Sequence, residues 1–213
     1  MADPSERHSL VGPGKLWEMK RAFQIHFLQS VGLTSDQYLL DLGCGTLRGG
    51  IPIIKYLEPG HYYGIETREH VLREGKQELI DSGLQDRVPH LLHIDNLRGN
   101  LGTRFDMIWA FSVVLHMTDE ILNDALFFVK RHLSSSGSFY ANVNIGERRL
   151  NGAWQGFPRV SRPANFYKQA CLKAGLSLRI IGPLRNFGHI SGAAFQDAQQ
   201  MLQIRHTEEL GSN

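Results

Sequence analysis

The sequence of 213 residues predicts a single α/β domain built on a mostly parallel sheet, and three observations favour this fold. Short apolar runs alternate with longer stretches in which apolar residues recur at helical spacing. The run at 38–42 is largely apolar, as is typical of a parallel strand covered on both faces. A glycine-rich turn follows this run, and open α/β sheets bind ligands at the carboxyl ends of their strands.

The amino-acid composition indicates which kinds of partner and cellular setting the protein has. Hydrophobic residues make up 42% of the chain and charged residues 21%, which is ordinary for a globular protein. The formal net charge of +2 gives no basic footprint, so we do not expect a nucleic-acid partner. No apolar run is long enough to span a membrane, and the N-terminus has no apolar signal segment. With only two cysteines, Cys44 and Cys171, we expect a cytoplasmic protein without a disulfide framework. The oligomeric state stays open.

The ends of the chain are predicted to be less ordered than its middle. Residues 1–14 are polar and contain a Gly-Pro-Gly turn, which predicts a flexible lead-in to a domain spanning 15–205. A helix to about residue 31 opens the domain, because apolar residues recur there at helical spacing. Trp17 lies in this helix, where contact with a ligand and core packing are both possible roles. The tail at 206–213 is predicted to be frayed.

Strands and helices alternate through the domain. Predicted strands lie at 38–43, 61–66, 89–95, 105–111, 138–144, 176–182 and 199–205. Predicted helices lie at 50–57, 118–132 and 163–174, and a further helix capped by Thr67 ends near 83. The stretches near 145–162 and 184–198 are glycine-rich and lack periodicity, so they are predicted to be irregular loops of functional importance.

The glycine turn after the first predicted strand indicates a small ligand. Gly43 and Gly45 let the backbone turn tightly and approach a ligand closely. Pro52 suits the first turn of the next helix, and the amides at a helix start attract a carboxylate or phosphate. We therefore expect the strand end to hold a small molecule that carries an anionic group or sugar hydroxyls.

The segment 41–46, Asp-Leu-Gly-Cys-Gly-Thr, closely resembles the first motif of class I S-adenosylmethionine-dependent methyltransferases. The dinucleotide-binding fingerprint fits less well, because the third glycine falls one residue late. The resemblance covers about residues 38–205. It implies a Rossmann-like three-layer α/β/α sandwich with a seven-stranded, mostly parallel sheet, whose antiparallel last strand is inserted between the fifth and sixth.

The resemblance also implies a cofactor site for S-adenosylmethionine at the strand ends. Asp41 would orient the ammonium group of the cofactor. Glu66 would hold the ribose hydroxyls, with an N-cap or a solvated side chain as the alternative. Asp95 and Asn96 match the position that holds the adenine amino group, or they form a simple turn. The other predicted members of this site are Gly43, Cys44, Gly45, Thr67 and Phe111.

Candidate residues for the acceptor side lie in the opening helix, after the fourth strand and in the two irregular loops. His116 is the candidate general base, with a structural role as the alternative. No metal is expected, because the acidic triad of catechol-type methyltransferases is missing. The residues predicted to bind the acceptor are Trp17, Arg148, Trp154 and His189, although an arginine at such a position is often simply solvated.

These interpretations predict transfer of a methyl group from S-adenosylmethionine to a small-molecule acceptor by in-line displacement, with S-adenosylhomocysteine as the product. The first expectation for the acceptor atom is a hydroxyl oxygen on a sugar or secondary metabolite, whose methylation a base accelerates by about 10²–10⁴. N-methylation of a small amine, RNA or protein is an alternative, and so is a binding module without catalysis. A nicotinamide-dependent oxidoreductase is disfavoured, because the sequence also lacks a Tyr-x-x-x-Lys pair.

Overall fold

A computed structural model describes residues 4–207 as alternating strands and helices. The strands are β1 (Leu39–Leu42), β2 (Tyr62–Glu66), β3 (His90–His93), β4 (Phe105–Ala110), β5 (Leu133–Ile145), β6 (Arg149–Trp154), β7 (Phe157–Arg162), β8 (Leu176–Pro183) and β9 (Gln200–His206). The helices are α1 (Pro4–Ser9), α2 (Trp17–Ser30), α3 (Gly50–Tyr56), α4 (Glu69–Asp81), α5 (Asp119–His132), α6 (Ala164–Lys173) and α7 (Ala194–Asp197). Residues 1–3 of the predicted lead-in and 208–213 of the predicted tail fall outside the described residues.

The sheet has a parallel half and an antiparallel half. Strands β3, β2, β1, β4 and β5 pair in that order, all parallel. β9 is antiparallel to both β5 and β8 and lies between them. This arrangement confirms the predicted Rossmann-like sheet with an inserted antiparallel strand.

The two faces of the sheet are covered by different helices, as a three-layer sandwich requires. Successive strand residues point to opposite faces, so Leu40 joins a core cluster formed with α5 and α6, while Leu39 joins one formed with α2 and α3. Trp109 in β4 is fully buried against α2, where its indole nitrogen donates to Oε1 of Gln24 at 2.9 Å. This contact fixes α2 over the carboxyl ends of the central strands.

The segment at 145–162 is a β-hairpin and not the irregular loop that the sequence predicts. Strands β6 and β7 pair with each other, and β7 pairs with the end of β5, which brings the described strands to nine instead of the predicted seven. Gln155 and Gly156 form the two-residue turn with φ of 47° and 83°, as a type I′ turn requires. A break in register between Leu150 and Ala153 disrupts the alternation that would have revealed the strands.

The described part of the predicted flexible lead-in is folded against the domain. Arg7 in α1 is 3% exposed and pairs with Glu74, Glu78 and Asp81 of α4, at 3.4, 2.8 and 2.8 Å. The six-residue α1 is too short for a periodic sequence signal, and the carboxylates that anchor it lie far along the chain. His206, assigned to the frayed tail, is the last residue of β9.

Within residues 4–207, none of the helices is both long enough and apolar enough to cross a membrane.

Candidate functional site

A cavity of about 540 Å³ opens at the carboxyl ends of β1, β2, β4 and β5. This volume suits a small molecule. Three segments form its roof: residues 11–13 before α2, the β6–β7 hairpin, and the connection from β8 to β9. The ligand site therefore lies where the fold predicts it, and it is covered from three directions.

The glycine turn after β1 forms the floor of the cavity. Gly43 and Gly45 have φ of +79° and +58°, in the left-handed region that favours glycine. A Cβ atom at Gly43 would lie 2.6 Å from the side chain of Val113, and one at Gly45 would lie 2.7 Å from that of Val11. Both glycines are therefore needed for close packing as well as for backbone conformation.

Asp41, at the end of β1, is 3% exposed and accepts a hydrogen bond from the hydroxyl of Tyr62 at 2.7 Å. Burial raises the pKa of this carboxyl to about 7, although the hydrogen bond from Tyr62 opposes the shift. Asp41 is thus a buried acid that gains from a cationic group placed nearby.

Glu66, at the end of β2, is surrounded by donors. Its carboxylate accepts from the backbone amides of Gly45, Thr67 and Arg68 at 3.0–3.1 Å. The guanidinium of Arg68 adds bonds to both carboxylate oxygens, at 3.1 and 3.3 Å. Arg68 also donates to the backbone carbonyl of Leu10 and to the side chain of Gln155, so it joins the strand end to two parts of the roof.

Two buried cations line the cavity, and one of them, Arg48, interacts with Asp41. Lys20 in α2 and Arg48 after the glycine turn are each 7% exposed and line the cavity. Burial lowers the pKa of Lys20 to about 8, and the positive charge of Arg48 adds to this shift. Burial also lowers the pKa of Arg48 to about 10, and the negative charge of Asp41 opposes that shift. One Arg48 nitrogen donates to the backbone carbonyl of Val11 at 2.9 Å, but its Nε has no partner among the described residues. This pair can receive an anionic group from a ligand.

Two histidines line the cavity in different settings. His116 lies in a short 3-10 turn after β4, with Nδ1 at 2.9 Å from the backbone carbonyl of Pro158 and its ring against Trp154 and Phe157. His189 lies in the connection from β8 to β9, with Nδ1 at 2.7 Å from Oδ1 of Asp197. Burial is the main factor that lowers the pKa of both rings.

The structure brings most of the predicted site residues together around this cavity. The predicted residues that line it are Asp41, Gly43, Cys44, Gly45, Glu66, Thr67, Phe111, His116, Trp154 and His189.

Four predicted site residues lie outside the cavity. Asp95 and Asn96 are exposed after β3, and Asn96 accepts a bond from the amide of Arg98, so the turn interpretation describes them better. Trp17 is 3% exposed and stacks on His8, with ring centroids 3.5 Å apart. Arg148 is an exposed partner of Asp119. Ile94 and Leu97, on either side of Asp95 and Asn96, line the cavity in their place.

Three charged residues of the cavity are absent from the sequence prediction: Lys20, Arg48 and Arg68. The burial of Arg48 could have been predicted, because its charged side chain lies in a glycine-rich turn and this turn must be buried. The burial of Lys20 and Arg68 could not have been predicted, since it depends on the roof segments that fold over them. Among residues 4–207, no group of three or more histidine, cysteine or acidic side chains could hold a metal ion.

Comparisons with known proteins agree with this geometry. A family model described as "Methyltransferase domain" matches residues 40–139, which include the glycine turn, Glu66 and β4. A search of curated protein sequences finds no match.

Solved structures share the fold at low sequence identity. The glycopeptide N-methyltransferase MtfA complexed with S-adenosyl-L-homocysteine superposes with a TM-score of 0.69 at 13% identity, over 86% of this chain and 88% of that chain. Magnesium protoporphyrin IX methyltransferase from Synechocystis PCC 6803 with bound S-adenosylmethionine gives 0.66 at 14% identity, over 96% and 92%. The mitomycin 7-O-methyltransferase MmcR gives 0.64 at 16%, over 91% and 55%. By their names these relatives include both an N- and an O-methyltransferase, so the fold does not determine the acceptor atom.

Proposed function

We propose that the chain is a class I S-adenosylmethionine-dependent methyltransferase that methylates a hydroxyl oxygen on a small, ring-bearing acceptor such as a sugar or secondary metabolite. The observation that carries the proposal is the aromatic wall of the cavity, which the roof segments largely supply. Phe111, His116, Trp154, Phe157 and Phe195 all line it. Aromatic faces of this kind favour a flat apolar surface on the acceptor.

The residues present fit the cofactor. Ile65, Ile94 and Leu97 give an apolar wall suited to adenine, and the carboxylate of Glu66 suits the ribose hydroxyls. At the other end, the acid Asp41 and the cations Lys20 and Arg48 match the opposite charges of an amino acid. The partnerless Nε of Arg48 supports this match, because a buried donor without an acceptor is costly.

When bound, S-adenosylmethionine supplies a methyl group made electrophilic by the positive sulfonium. The work left to the protein is to hold the acceptor in line with that methyl and to exclude water. Such positioning can contribute about 7–11 kcal/mol toward lowering the barrier. We assign this role to the aromatic wall and the hairpin, with Trp154 as the central contact.

We also expect this enzyme to work in a reducing compartment such as the cytoplasm. Cys44 and Cys171 are both buried and free. Burial raises the pKa of each thiol, to about 12 for Cys171, so both favour the protonated form.

Calorimetric titration with S-adenosylhomocysteine and NADH tests the cofactor, and we expect micromolar binding of the former and none of the latter. The acceptor is tested by measuring S-adenosylhomocysteine release with phenol, catechol, 4-nitrophenol, glucose, methylamine and aniline. We expect turnover with members of the hydroxyl set. Turnover with the two amines alone would replace the hydroxyl acceptor by a nitrogen acceptor.

A further inference from the structure

We propose that His189 is the general base that takes the proton from the acceptor hydroxyl, and that Asp197 is the positioning residue that orients it. This proposal rests on the proposed function, because a protonated hydroxyl acceptor needs such a base, whereas a neutral amine acceptor does not.

The hydrogen bonds determine which nitrogen of His189 carries the proton. Nδ1 lies 2.7 Å from Oδ1 of Asp197, and the same oxygen accepts from the amide of Ser191 at 2.9 Å. An ionised carboxylate can only accept, so Nδ1 must be the protonated nitrogen. The neutral ring then presents a free lone pair at Nε2.

Nε2 of His189 is buried and has no hydrogen-bond partner within the described chain. The residue is 1% exposed and lines the cavity. Its ring makes an edge contact with Phe23 at 5.0 Å and a tilted contact with Phe111 at 5.8 Å, so its orientation is set by packing. A buried acceptor without a donor is unfavourable, so we expect Nε2 to accept from a ligand hydroxyl that enters the cavity and displaces the side chains covering this atom.

The charges around His189 keep it ready to accept a proton. Burial lowers its pKa from the ordinary 6.5, Asp197 raises it, and Lys20 and Arg48 lower it again. The ring is therefore neutral at neutral pH. Asp197 then stabilises the imidazolium that forms, as the carboxylate of a catalytic dyad does.

The proposed step balances without a further reactant. The acceptor oxygen forms a bond to the methyl carbon while the methyl–sulfur bond breaks, and that bonding pair stays on sulfur. The hydroxyl proton moves to Nε2 of His189 and later leaves to solvent. The products are a methyl ether, neutral S-adenosylhomocysteine and one proton.

His116 is the competing base, and its surroundings suit the role less well. Its Nδ1 faces the backbone carbonyl of Pro158 and no carboxylate. The positive charges of Arg159 and Arg68 disfavour its imidazolium form without a compensating acid. His116 therefore suits a wall residue that holds the hairpin, while His189 has the partner that a base needs.

The first test is nitrogen-15 NMR of histidine-labelled full-length protein, with the His189 signals assigned by comparison with His189→Gln. We expect the tautomer protonated at Nδ1, with a pKa below 6.5, and a loss of this preference in Asp197→Asn. An Nε2-protonated ring would overturn the proposal. This readout needs no acceptor, so it is independent of the proposed function.

The second test compares S-adenosylhomocysteine release from phenol and from 4-nitrophenol at a pH where the latter is ionised. His189→Gln should lower turnover of phenol by about 10²–10⁴ while leaving the dissociation constant for S-adenosylhomocysteine nearly unchanged. The loss should be far smaller with 4-nitrophenol, because that acceptor has already lost its proton. The exposed His70→Gln variant is the matched control.

The pH dependence of phenol turnover shows which of the two histidines acts as the base and tests the role of Asp197. Turnover of phenol should fall as pH drops below the pKa of His189, and Asp197→Asn should move this acid limb to lower pH. Loss of the acid limb in His116→Gln, with retention in His189→Gln, would overturn the proposal. If the wild-type protein methylates none of the hydroxyl compounds tested, both the proposed function and the role of His189 as base are wrong. If wild type and His189→Gln methylate phenol at equal rates, only the role of His189 is wrong.

Discussion

Arg68 binds Glu66 at both carboxylate oxygens, through Nε at 3.1 Å and through a second guanidinium nitrogen at 3.3 Å. With three backbone amides also donating, the carboxylate has five donor contacts for about four lone-pair sites. Ribose hydroxyls can reach Glu66 only by displacing a donor, and the side chain of Arg68 is the one that can move. If Glu66 holds the ribose as proposed, we expect entry of the cofactor to be linked to release of an arginine that also holds the roof.

Arg68→Met should raise both the association and the dissociation rate constants for S-adenosylhomocysteine. Entry no longer requires the ion pair to open, and the bonds from Arg68 to Leu10 and Gln155 no longer hold the roof closed. Stopped-flow fluorescence measures both constants, using the tryptophan signal that includes Trp154 beside Arg68. The exposed Arg73→Met variant is the control, and a slower association in Arg68→Met would contradict the linkage.

Glu66→Gln should weaken S-adenosylhomocysteine binding by about 10- to 100-fold. The substitution removes the charge from bonds of a kind worth roughly 1.5–3 kcal/mol, and each 1.4 kcal/mol is about tenfold in affinity. Calorimetry gives the affinity, and the exposed Glu69→Gln is the matched control. Wild-type affinity in a folded Glu66→Gln protein would remove the ribose assignment.

Asp41→Asn should make the ligand-free protein more stable than wild type, by an amount that grows with pH. The folded-state pKa of Asp41 is about 7, above the ordinary 3.8, so the native state holds its proton more tightly than the unfolded state does. Wild type therefore loses stability as pH rises from about 4 to about 7, by about 4 kcal/mol from this residue.

Urea unfolding across that pH range measures the effect of Asp41→Asn. The stability difference should be near zero at the acid end and constant above the folded-state pKa. Asp86→Asn, an exposed change of the same chemistry, should keep the wild-type profile. If the stability of Asp41→Asn changes with pH in parallel with that of wild type, burial does not raise the pKa of the Asp41 carboxyl.

Gly43→Ala should be more destabilising than Gly60→Ala. Both glycines have positive φ, +79° and +82°, so both variants carry backbone strain. Only at Gly43 would the new Cβ clash, at 2.6 Å from Val113, whereas the space at Gly60 is open. Thermal unfolding should show a deficit of about 1–3 kcal/mol beyond that of Gly60→Ala, and equal melting temperatures would refute the packing argument.

Most of the fold could be predicted from the sequence because the strongest signals in the sequence are local. The apolar run of β1, the glycine turn and Glu66 at the end of β2 are each readable within a few residues, and all three lie where they were predicted. The hairpin was missed because its periodicity is broken near Gly152. Its Gln155-Gly156 turn between two aromatic residues was the signal that could have revealed it.

The site was predicted less completely, because burial of charge is a tertiary property. Lys20 becomes buried only when α2 lies over the carboxyl ends of the strands, and Arg48 gains its contact with Val11 only in the folded chain. The partnership of His189 with Asp197 is close in sequence, but it is visible only once the connection between β8 and β9 is folded. Asp95 and Asn96 lie outside the cavity because β3 ends at His93 and only their apolar neighbours face the cavity, so their contact with adenine stays a prediction.

The position of β9 between β5 and β8 constrains how the chain is made. During vectorial synthesis, β5 emerges with its β9 edge open, and about sixty residues must follow before β9 can fill it. Until then, Phe139, Tyr140 and Ala141 present unpaired backbone in a strand of high β-propensity. A nascent chain stalled before β9 is thus exposed to aggregation at its central strand, and translation speed between β5 and β9 becomes a determinant of yield.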